Sequence, residues 1–543
     1  VSAKMRIVIA AAILSILNVM VMANTTDAFA TGSHHHPLAF SQENARTSLP
    51  TTHANDRIRS QYIHRGGGAR NRTRGLDKRM KDFSLSSTST TSTDGSDEKN
   101  KSTTDEQTIS AAAFNLIKGC VGSGVLSLPA GVAAIGDVPN ALVPAILILS
   151  ILGTISAYTF HLIGRLTAVV SSESNDDDDG NNQIISNLGQ IWDFEVGPSS
   201  SWMISLSVML TCLGTSLAYS IILGDTIKSL AETAGLTGIL ASRRFNALAI
   251  SLLGVYPLSC LKSLAALAPV SMVGVVGIIV TCIVMTIRSL PGGAYSTTAA
   301  ATATNFISSL PVELRPSFGK IGMRGPQSLL VVASMTATAF LVHMTSPEFY
   351  NTLKDNTMSR FATLSTIGFG FTALISGFMM SIGWLTFGGA CKGMILNNYS
   401  TLDPGATLCR LLMGVSLLGS YGFLSYAMKT AFYQIFYKGK EITDKIHYRT
   451  TRLSVGLLTA LALLINDAGF VVSVTGAVLG SSLIYVIPSF LFLKSTKRRM
   501  DNGTLAVTKG LKIERFFNRG LIVLGAFLAM AGAWMSVVNS FFP

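Results

Sequence analysis

A lysine and a Gly-Ser-Gly triplet interrupt an apolar stretch of this sequence that is otherwise long enough to cross a membrane. The stretch reads NLIKGCVGSGVLSLP over residues 115–129, and Lys118 stands four residues before Gly122. Glycine weakens a helix, and an unwound turn in hydrocarbon leaves backbone N–H and C=O groups unpaired. Such a break persists where protein, water or a ligand pairs with those groups.

The break predicts a site that receives both ends of a zwitterion. The N–H groups and positive dipole end of the restarting helix favour a carboxylate, and the residues that offer them are Gly122, Ser123 and Gly124. The carbonyls that end the first half, around Cys120 and Val121, would accept an ammonium or coordinate a cation. The alternative interpretation is close helix packing, which also places small residues at this spacing.

A second interruption lies in the sixth apolar segment. The residues from Leu329 to Val342 are apolar, and the chain then reads HMTSPE over 343–348, where Pro347 lacks a donor and crowds the preceding turn. This segment is the first of a second group of five. Interrupted helices at the head of two five-helix groups are typical of secondary transporters with inverted repeats and a site at mid-membrane.

Composition and segment length indicate an integral, multi-pass membrane protein. Of the 543 residues, 48% are hydrophobic and 13% are charged, which is too apolar for an ordinary soluble protein of this size. Apolar segments of about 20 residues, the length that crosses about 30 Å of hydrocarbon, recur after residue 108. We predict eleven spans, at 109–135, 140–168, 202–230, 243–260, 264–288, 328–350, 363–388, 407–437, 453–466, 468–494 and 520–541.

The positive charge of the chain fits a membrane protein rather than a nucleic-acid partner. The net charge is +13, but most lysines and arginines precede residue 82 or lie in short links between apolar spans, and no nucleic-acid motif is present. The links after the eighth and tenth spans are especially basic. We therefore expect these links, and the N-terminus of the membrane core, on the cytosolic or stromal side, called the inner side below.

Two segments precede the predicted transmembrane domain, which covers 109–543. Residues 1–30 have the basic flank, apolar stretch and small residues of a secretory signal, or form an uncleaved first helix. Residues 31–108 are basic and then rich in Ser and Thr, which predicts a disordered tail. Together the two are similar to bipartite plastid signals. The target membrane stays open between the plasma membrane, a vacuolar or other endomembrane, and a plastid envelope.

Four stretches in the predicted spans resemble the amino acid/auxin permease family of amino acid transporters. They are NLIKGCVGSGVLSLPAG (115–131), AFLVHMTSPEFYNTLKD (339–355), GWLTFGG (383–389) and GAVLGSSLIYVIPSFLFLK (476–494). The resemblance implies an all-α membrane protein of eleven helices in the LeuT-like 5+5 inverted repeat, with helices 1 and 6 broken. It also implies amino acid transport driven by a proton or sodium gradient.

By the same resemblance, the second break faces the first and binds the amino group of the substrate through its carbonyls. The residues of this segment are Val342, His343, Met344 and Thr345. His343 is a candidate to carry protons, because histidine titrates near physiological pH. The alternative is a packed histidine that donates to a carbonyl freed by the break.

Other polar residues of the sixth span are candidates for lesser roles. Ser334 and Thr338 are four residues apart, so they share a helix face that could line the cavity, unless they bond back to their own helix. Glu348 and Lys354 are expected at the inner end of this span, as a gate pair or as a solvated edge.

Lys118 and Ser420 bear on the coupling ion. In sodium-coupled relatives an asparagine commonly stands at the position of Lys118, whereas proton-coupled relatives more often have an L-L-K-G-type stretch, similar to Ile117-Lys118-Gly119 here. An ammonium there would repel sodium and occupy its place. The alternative is a lysine that snorkels to the inner surface. Ser420 replaces a threonine of sodium-binding relatives, and the segment 420–422 lacks their usual proline.

The sequence thus predicts a symporter of neutral amino acids, coupled to protons and working by alternating access. Sodium coupling and an amino-acid sensor with little net flux are the alternatives. No catalytic motif, nucleotide-binding motif or metal-ligand spacing is present, so we expect no enzyme activity, no cofactor beyond H⁺ or Na⁺, and no metal. The expected partners are the amino acid and membrane lipid, with the protein a monomer. Cys391 and Cys409 bracket one outer loop and could pair in an oxidising compartment.

Overall fold

A computed structural model describes residues 106–175, 184–262, 267–290, 293–296, 306–320, 322–465, 471–472 and 475–541. The predictions for residues 1–30 and for 31–105 lie outside the described residues. Regular structure within these ranges is helical, apart from two isolated β-bridges, as the apolar periodicity predicts.

The first five predicted spans fold as helical elements in the expected order. The first span consists of α1 (Ile109–Cys120) and α2 (Ser123–Ile135), and Ile109–Cys120 and Gly124–Ile135 differ in direction by 46°. A π-helical turn, Ser251–Val255, joins the two short helices of the fourth span. The elements that follow α2 are α3 (Leu142–Asn175), α4 (Leu188–Glu195), α5 (Ser201–Thr233), α6 (Arg243–Ile250), α7 (Tyr256–Ser259) and α8 (Ala268–Ser289).

The second group begins with the other broken element. Its halves are α9 (Gln327–Ala339) and α10 (Ser346–Thr352), with a 3-10 turn, His343–Thr345, between them. Two π-helical turns, Thr475–Gly480 and Ser482–Val486, precede the helix of the tenth span. The remaining helices are α11 (Met358–Phe387), α12 (Pro404–Phe436), α13 (Asp444–Leu464), α14 (Ile487–Asp501) and α15 (Lys509–Phe541).

Helix length and apolarity support a multi-pass protein. Eight helices of the described chain are long and apolar enough to cross a membrane, and the bent pair α1–α2 makes nine. The elements α6–α7 and α13 occupy the fourth and ninth predicted positions but are not among these nine. The count of eleven spans therefore stays a prediction.

Two of the predicted starts are wrong. The ninth helix begins at Asp444 rather than at 453, and the eleventh begins at Lys509 rather than at 520. The extra turns carry lysine and arginine, which a search for apolar segments rejects. These residues favour a helix nonetheless, and their long side chains reach out of the hydrocarbon.

The second break lies earlier than the sequence predicts. The apolar stretch extends to Val342, but α9 ends at Ala339, and the chain is not α-helical again until Ser346. Pro347 lies in the first turn of α10, where its missing N–H would have no acceptor within the helix. The proline therefore starts the second half of the element.

Both broken elements are enclosed by other helices. The half-helix α1 contacts α8, α11 and α12, whereas α2 packs against α9 and α11. The long helix α12 packs along α5 and α8. Cys391 and Cys409 are free thiols, and Cys391 Sγ lies 3.5 Å from the carbonyl oxygen of Gly383, so the structure does not contain the disulfide considered above.

Main-chain hydrogen bonds connect both ends of the first broken element to residues next to the second broken element, α9–α10. At the start of α1, Gln107 N donates to Thr352 O at 2.7 Å, and Lys354 N donates to Gln107 O at 2.9 Å. At the end of α2, Arg324 N donates to Ile135 O at 2.8 Å. These bonds hold the two broken elements side by side at both ends.

Candidate functional site

The two breaks lie against each other. A Cβ built on Gly119 would lie 2.9 Å from Val342 Cγ2, and one built on Gly124 would lie 2.8 Å from Ala339 N. Glycine at position 124 therefore allows the close approach of the two backbones, and glycine at 119 makes room for the Val342 side chain. The structure brings together the segments that the sequence predicts to form the site.

The gap in the first broken element holds the side chain of a residue that the sequence did not single out. A Cβ built on Gly122 would lie 1.7 Å from the hydroxyl oxygen of Tyr219 and 2.7 Å from its Cζ. Tyr219 belongs to α5 and is 4% exposed. Nothing in the local sequence distinguishes this tyrosine from a packing residue, because its position depends on how α5 lies against the break.

The amides predicted to hold a carboxylate are only partly available. Gly122 N already donates to Cys120 O at 3.0 Å. Ser123 and Gly124 open α2, and the N–H groups of a first helical turn have no acceptor within the helix. The side chain of Ser123 lies outside the described part of the structure. Of the three predicted amides, those of Ser123 and Gly124 therefore remain available, and their binding of a carboxylate stays a prediction.

Lys118 occupies the carbonyl end of the same break. Its Nζ donates to Val121 O at 3.2 Å and to Ser420 Oγ at 2.5 Å, and the residue is fully buried. No carboxylate of the described residues forms an ion pair with it. The snorkelling interpretation of Lys118 is wrong, because the ammonium points into the bundle and pairs with groups freed by the break. The Val121 carbonyl, which the sequence predicts to accept a substrate ammonium or a cation, already accepts a hydrogen bond from Lys118 Nζ.

Two glycines on neighbouring helices make room for the lysine. A Cβ built on Gly274 of α8 would lie 2.6 Å from Lys118 Cε, and one on Gly419 of α12 would lie 3.6 Å from the same atom. Ser416, one turn before Ser420, is fully buried and its hydroxyl has no hydrogen-bond partner. Sequence reasoning missed these positions, because only the fold brings α8 and α12 to Lys118.

Ser420 links the break to α12. Its hydroxyl lies within hydrogen-bond distance of Lys118 O, at 3.1 Å, and of Ser416 O, at 3.4 Å. A hydroxyl that accepts from the ammonium can donate to one of these carbonyls. The helix α12 is continuous through Ser420, Tyr421 and Gly422, so the absence of the family's proline leaves it unbroken here.

In the second break, the carbonyl of Val342 is bonded within its own turn. It accepts from Thr345 N at 3.1 Å and from Thr345 Oγ1 at 2.8 Å, which uses both lone pairs. The carbonyls of Phe340 and Leu341, just before it, accept no hydrogen bond from the described residues. These two are better placed than Val342 to receive an ammonium.

His343 is turned toward α3. Its Nε2 lies 2.9 Å from Ser156 O and 3.0 Å from Thr159 Oγ1, and its Nδ1 has no hydrogen-bond partner. The ring makes edge contacts with Phe160 and Phe369. The geometry matches the neutral ring with its proton on Nε2, so the packed-histidine interpretation agrees with these contacts, although the acceptor belongs to α3 rather than to the broken element.

A small cavity lies beside the second break, next to the start of α10. It measures about 20 Å³ and is lined in part by Met344, Thr345 and Glu348, which is room for about one water molecule. The carboxyl of Glu348 forms a hydrogen bond with Tyr426 of α12. Lys354 is exposed and forms no ion pair with any described acid, so the predicted gate pair of Glu348 with Lys354 is wrong.

Ser334 and Thr338 face the tenth span. Thr338 Oγ1 donates to Ser334 O at 3.2 Å and lies 3.5 Å from Val472 O. A Cβ built on Gly476 would lie 1.7 Å from Thr338 Oγ1, so the threonine fills space that this glycine leaves open. The hydroxyl therefore bonds back to its own helix, and a lining role for either residue stays a prediction.

The arrangement suits the binding of a small zwitterion and a cation. First-turn amides of α2 and the carbonyls of Phe340 and Leu341 come from the two breaks, and the Tyr219 hydroxyl lies between α5 and the first of them. Within the described residues, no cluster of three or more His, Cys, Asp or Glu side chains could hold a metal ion. The ammonium of Lys118 is the charge fixed at this site.

Comparisons with known proteins agree with this geometry. The family model described as "Transmembrane amino acid transporter protein" matches residues 105–538. The chain is 24% identical to the putative sodium-coupled neutral amino acid transporter 11 of Danio rerio, over 77% of this chain and 86% of that protein. It is 20% identical to the amino acid transporter AVT6E of Arabidopsis thaliana, over 73% of this chain and 78% of that protein.

The fold is also that of a solved transporter. The structure of Mhp1, a nucleobase-cation-symport-1 family transporter in a closed conformation with bromovinylhydantoin bound, aligns with a TM-score of 0.50 at 10% identity. The alignment covers 81% of this chain and 94% of Mhp1, which supports a LeuT-like membrane transporter. The family and the relatives named here are transporters and not enzymes. The chain, an integral multi-pass membrane protein, belongs to the transmembrane amino acid transporter family.

Proposed function

We propose that the protein is a proton-coupled symporter of neutral amino acids that works by alternating access about its two broken elements. The observation that carries the choice of ion is the position of Lys118 Nζ, 3.2 Å from Val121 O and 2.5 Å from Ser420 Oγ. A carbonyl and a hydroxyl at a helix break are ligands that a sodium ion would use. A protonated lysine supplies the positive charge in its place, without a second cation.

The proposed transport cycle depends on whether Lys118 is protonated. When Lys118 is protonated, its ammonium links the end of α1 to α12 through Val121 O and Ser420 Oγ. Loss of the proton weakens both hydrogen bonds, because charged donors bond more strongly than neutral ones. The first broken element is then free to move relative to α12, which would expose the site to the other side.

The substrate assignment rests on the charges around the breaks. The zwitterionic part of an amino acid would meet the amides of Ser123 and Gly124 and the carbonyls of Phe340 and Leu341. Apart from Glu348, whose carboxyl forms a hydrogen bond with Tyr426, the described residues at these breaks offer no carboxylate or guanidinium for a charged substrate side chain. The Danio rerio relative is named for neutral amino acids, which agrees with this proposal.

Sodium coupling is the second candidate, and one observation favours it. The hydroxyl of Ser416 is buried without a partner beside Ser420, and the Danio rerio relative is described as sodium-coupled. If Lys118 moved aside, Ser416, Ser420 and Val121 would offer oxygen atoms to a sodium ion. The two candidates differ in what a change of Lys118 should do.

The test is uptake of labelled neutral amino acids into proteoliposomes that contain the purified full chain. Wild-type protein should accumulate substrate under an inward proton gradient and show no added uptake with inward sodium. Lys118→Met, which keeps an unbranched side chain as far as Cε and removes the ammonium, should lose the response to the proton gradient. Lys118→Asn should respond to sodium, because an amide oxygen replaces the ammonium.

Three outcomes would contradict the proposal. Sodium-driven uptake by the wild type assigns the site to sodium. Unchanged proton-driven uptake by Lys118→Met removes the lysine from coupling. Substrate binding with no flux under either gradient would favour the amino-acid sensor over a transporter.

A further inference from the structure

A second site lies away from the helix breaks, in an apolar groove between three helices. The groove has a volume of about 300 Å³, in the range of ligand cavities. Its walls come from α5, α12 and α13, and it does not share residues with the two breaks. The apolar lining residues are Met209, Leu213, Met428, Phe432, Leu453 and Leu457.

The groove is open at the surface of the protein. At its rim Phe436 is 59% exposed, Leu453 is 64% exposed and Leu457 is 51% exposed. The helix that carries Phe436 is long and apolar enough to cross a membrane, so we infer that this apolar rim meets acyl chains rather than water. An acyl chain can therefore enter the groove from the bilayer without crossing a polar barrier.

The chain that joins two walls of the groove is strongly basic. Residues 438–452 contain five lysines or arginines against two acids. Two of the charges in this segment are already used in ion pairs, Lys438 with Asp193 at 2.7 Å and Asp444 with Lys262 at 2.6 Å. The hydrogen bond from Lys262 lowers the pKa of the Asp444 carboxyl, so this acid stays ionised and its charge is matched by Lys262.

Four cations of this segment remain without an ion pair to any acid that the structure describes. They are Lys440, Lys445, Arg449 and Arg452. Basic residues at the inner end of membrane helices attract anionic lipid headgroups, each with about 1 kcal/mol near the surface. A lipid whose tail lies in the groove would place its headgroup beside these residues.

A buried lysine in the groove wall also favours an anionic ligand. Lys429 is 3% exposed, and its Nζ donates to Ser259 O, the end of α7, at 2.5 Å. It has no carboxylate partner among the described residues. A buried ammonium without a counter-charge is unfavourable, so a negative charge bound at this groove would stabilise it.

We propose that the groove between α5, α12 and α13 binds one acyl chain of an anionic phospholipid of the inner leaflet, whose headgroup is held by the basic segment 438–452. The site is separate from the transport site, and its occupancy does not depend on which ion drives transport. The apolar walls select an acyl chain, and the four unpaired cations select a negative headgroup.

The test is native mass spectrometry of the purified full chain in mild detergent with equal amounts of phosphatidylglycerol and phosphatidylcholine. Wild-type protein should retain phosphatidylglycerol in about tenfold preference, which equals about 1.4 kcal/mol. Ser454→Phe fills the groove from α13 and should remove the bound lipid. Leu464→Phe adds a ring at a residue that is 78% exposed at the end of the same helix, and should leave binding unchanged.

A charge variant tests the headgroup part independently of packing. The triple change Lys440→Gln, Lys445→Gln and Arg449→Gln should abolish the preference for phosphatidylglycerol while one lipid still binds. The matched control neutralises three cations near the start of α15, at Lys509, Lys512 and Arg519, and should keep the preference. Because all six side chains are exposed, these variants test the headgroup even if Ser454→Phe fails to fold.

Several results would overturn the proposal. Equal retention of the two lipids by the wild type excludes selection by charge. Lipid retention unaffected by Ser454→Phe, in a variant with wild-type thermal stability, places the lipid elsewhere. A dimer mass without bound lipid would assign the groove to a second copy of the chain.

Discussion

The two helix breaks are similar in backbone but differ in how their freed groups are bonded. At the first break the Val121 carbonyl is held by an ammonium, and that ammonium also reaches Ser420 on another helix. At the second break the Val342 carbonyl is held by Thr345, three residues along the same chain. The titratable residue of the second break, His343, is bonded to the main chain of α3.

This difference leads us to expect different roles for the two breaks, with ion coupling at the first and stability at the second. A bond made by a lysine can be weakened by removal of one proton, whereas a bond within a single turn has no such control. We therefore expect changes around Lys118 to alter the coupling of transport to the ion gradient. Changes around His343 should alter stability and leave coupling intact.

The largest effect is expected when the first break itself is filled. Gly122→Ala places a methyl group 1.7 Å from the Tyr219 hydroxyl oxygen, so the tyrosine or the break must move. Displacement of about 1 Å at a binding site costs about 100-fold in rate, and uptake should fall by at least that factor. Uptake by proteoliposomes measures it.

The matched control is Gly370→Ala, on α11, where an added Cβ meets nothing within 4 Å. It should insert and transport like the wild type. If Gly122→Ala also transported normally, the first break would be a packing feature without a role in binding.

A smaller loss is expected when the room for the lysine is reduced. Gly274→Ala brings a methyl group to 2.6 Å from Lys118 Cε and should push the ammonium from Val121 and Ser420. Hydrogen bonds to charged groups contribute about 1.5–3 kcal/mol each, so partial weakening of both bonds by about 2 kcal/mol in total should reduce proton-driven uptake about 30-fold. Uptake under an imposed pH gradient, with Gly456→Ala in open space as the control, checks this.

An unchanged response to the pH gradient in Gly274→Ala would mean that the lysine tolerates displacement. The two breaks would then not differ in their control of coupling.

Removal of one partner of the ammonium should have a still smaller effect. Ser420→Ala removes the 2.5 Å bond to Lys118 Nζ but leaves the one to Val121 O. One lost bond to a charged donor predicts a decrease of about tenfold in proton-driven uptake. Ser420→Thr keeps the hydroxyl and should restore most of the uptake. Equal activity of the two variants would contradict a role for this hydroxyl.

The smallest effect on transport is expected at the second break. His343→Gln keeps an N–H donor for Ser156 O but loses ring contacts with Phe160 and Phe369. We expect the free energy of unfolding to fall by about 1 kcal/mol, and the dependence of uptake on pH to match the wild type. Thermal unfolding and uptake across pH measure the two. A shifted pH profile would make His343 a proton carrier after all.

The sequence predicts the elements of this protein better than it predicts their contacts. The break at Gly122 can be predicted from the sequence, because the Gly-Ser-Gly triplet interrupts an otherwise apolar segment. The second break lies earlier in the chain than the sequence predicts. Pro347 can begin a helix as well as end one, and the sequence alone does not distinguish these two roles. Polar helix ends, as at Asp444, escape a search for apolar segments.

The candidate site shows the same limit. Lys118 and Ser420 could be singled out, but Tyr219 and Gly274 could not, because each matters only through a neighbour on a distant helix. Sequence spacing does not fix the rotation of one helix against another. For that reason the sequence left a gate pair of Glu348 and Lys354 open beside a solvated edge, whereas Glu348 contacts Tyr426.

The hydrogen bonds that join Gln107 to Thr352 and Lys354 connect the start of α1 to the end of α10. Three hydrogen bonds, two from main-chain groups and one from the Gln107 side chain to Thr352, must separate before the start of α1 and the end of α10 can part. The covalent chain that precedes residue 106 is attached directly beside these bonds. A force on that chain would therefore act first on the contact between the two broken elements.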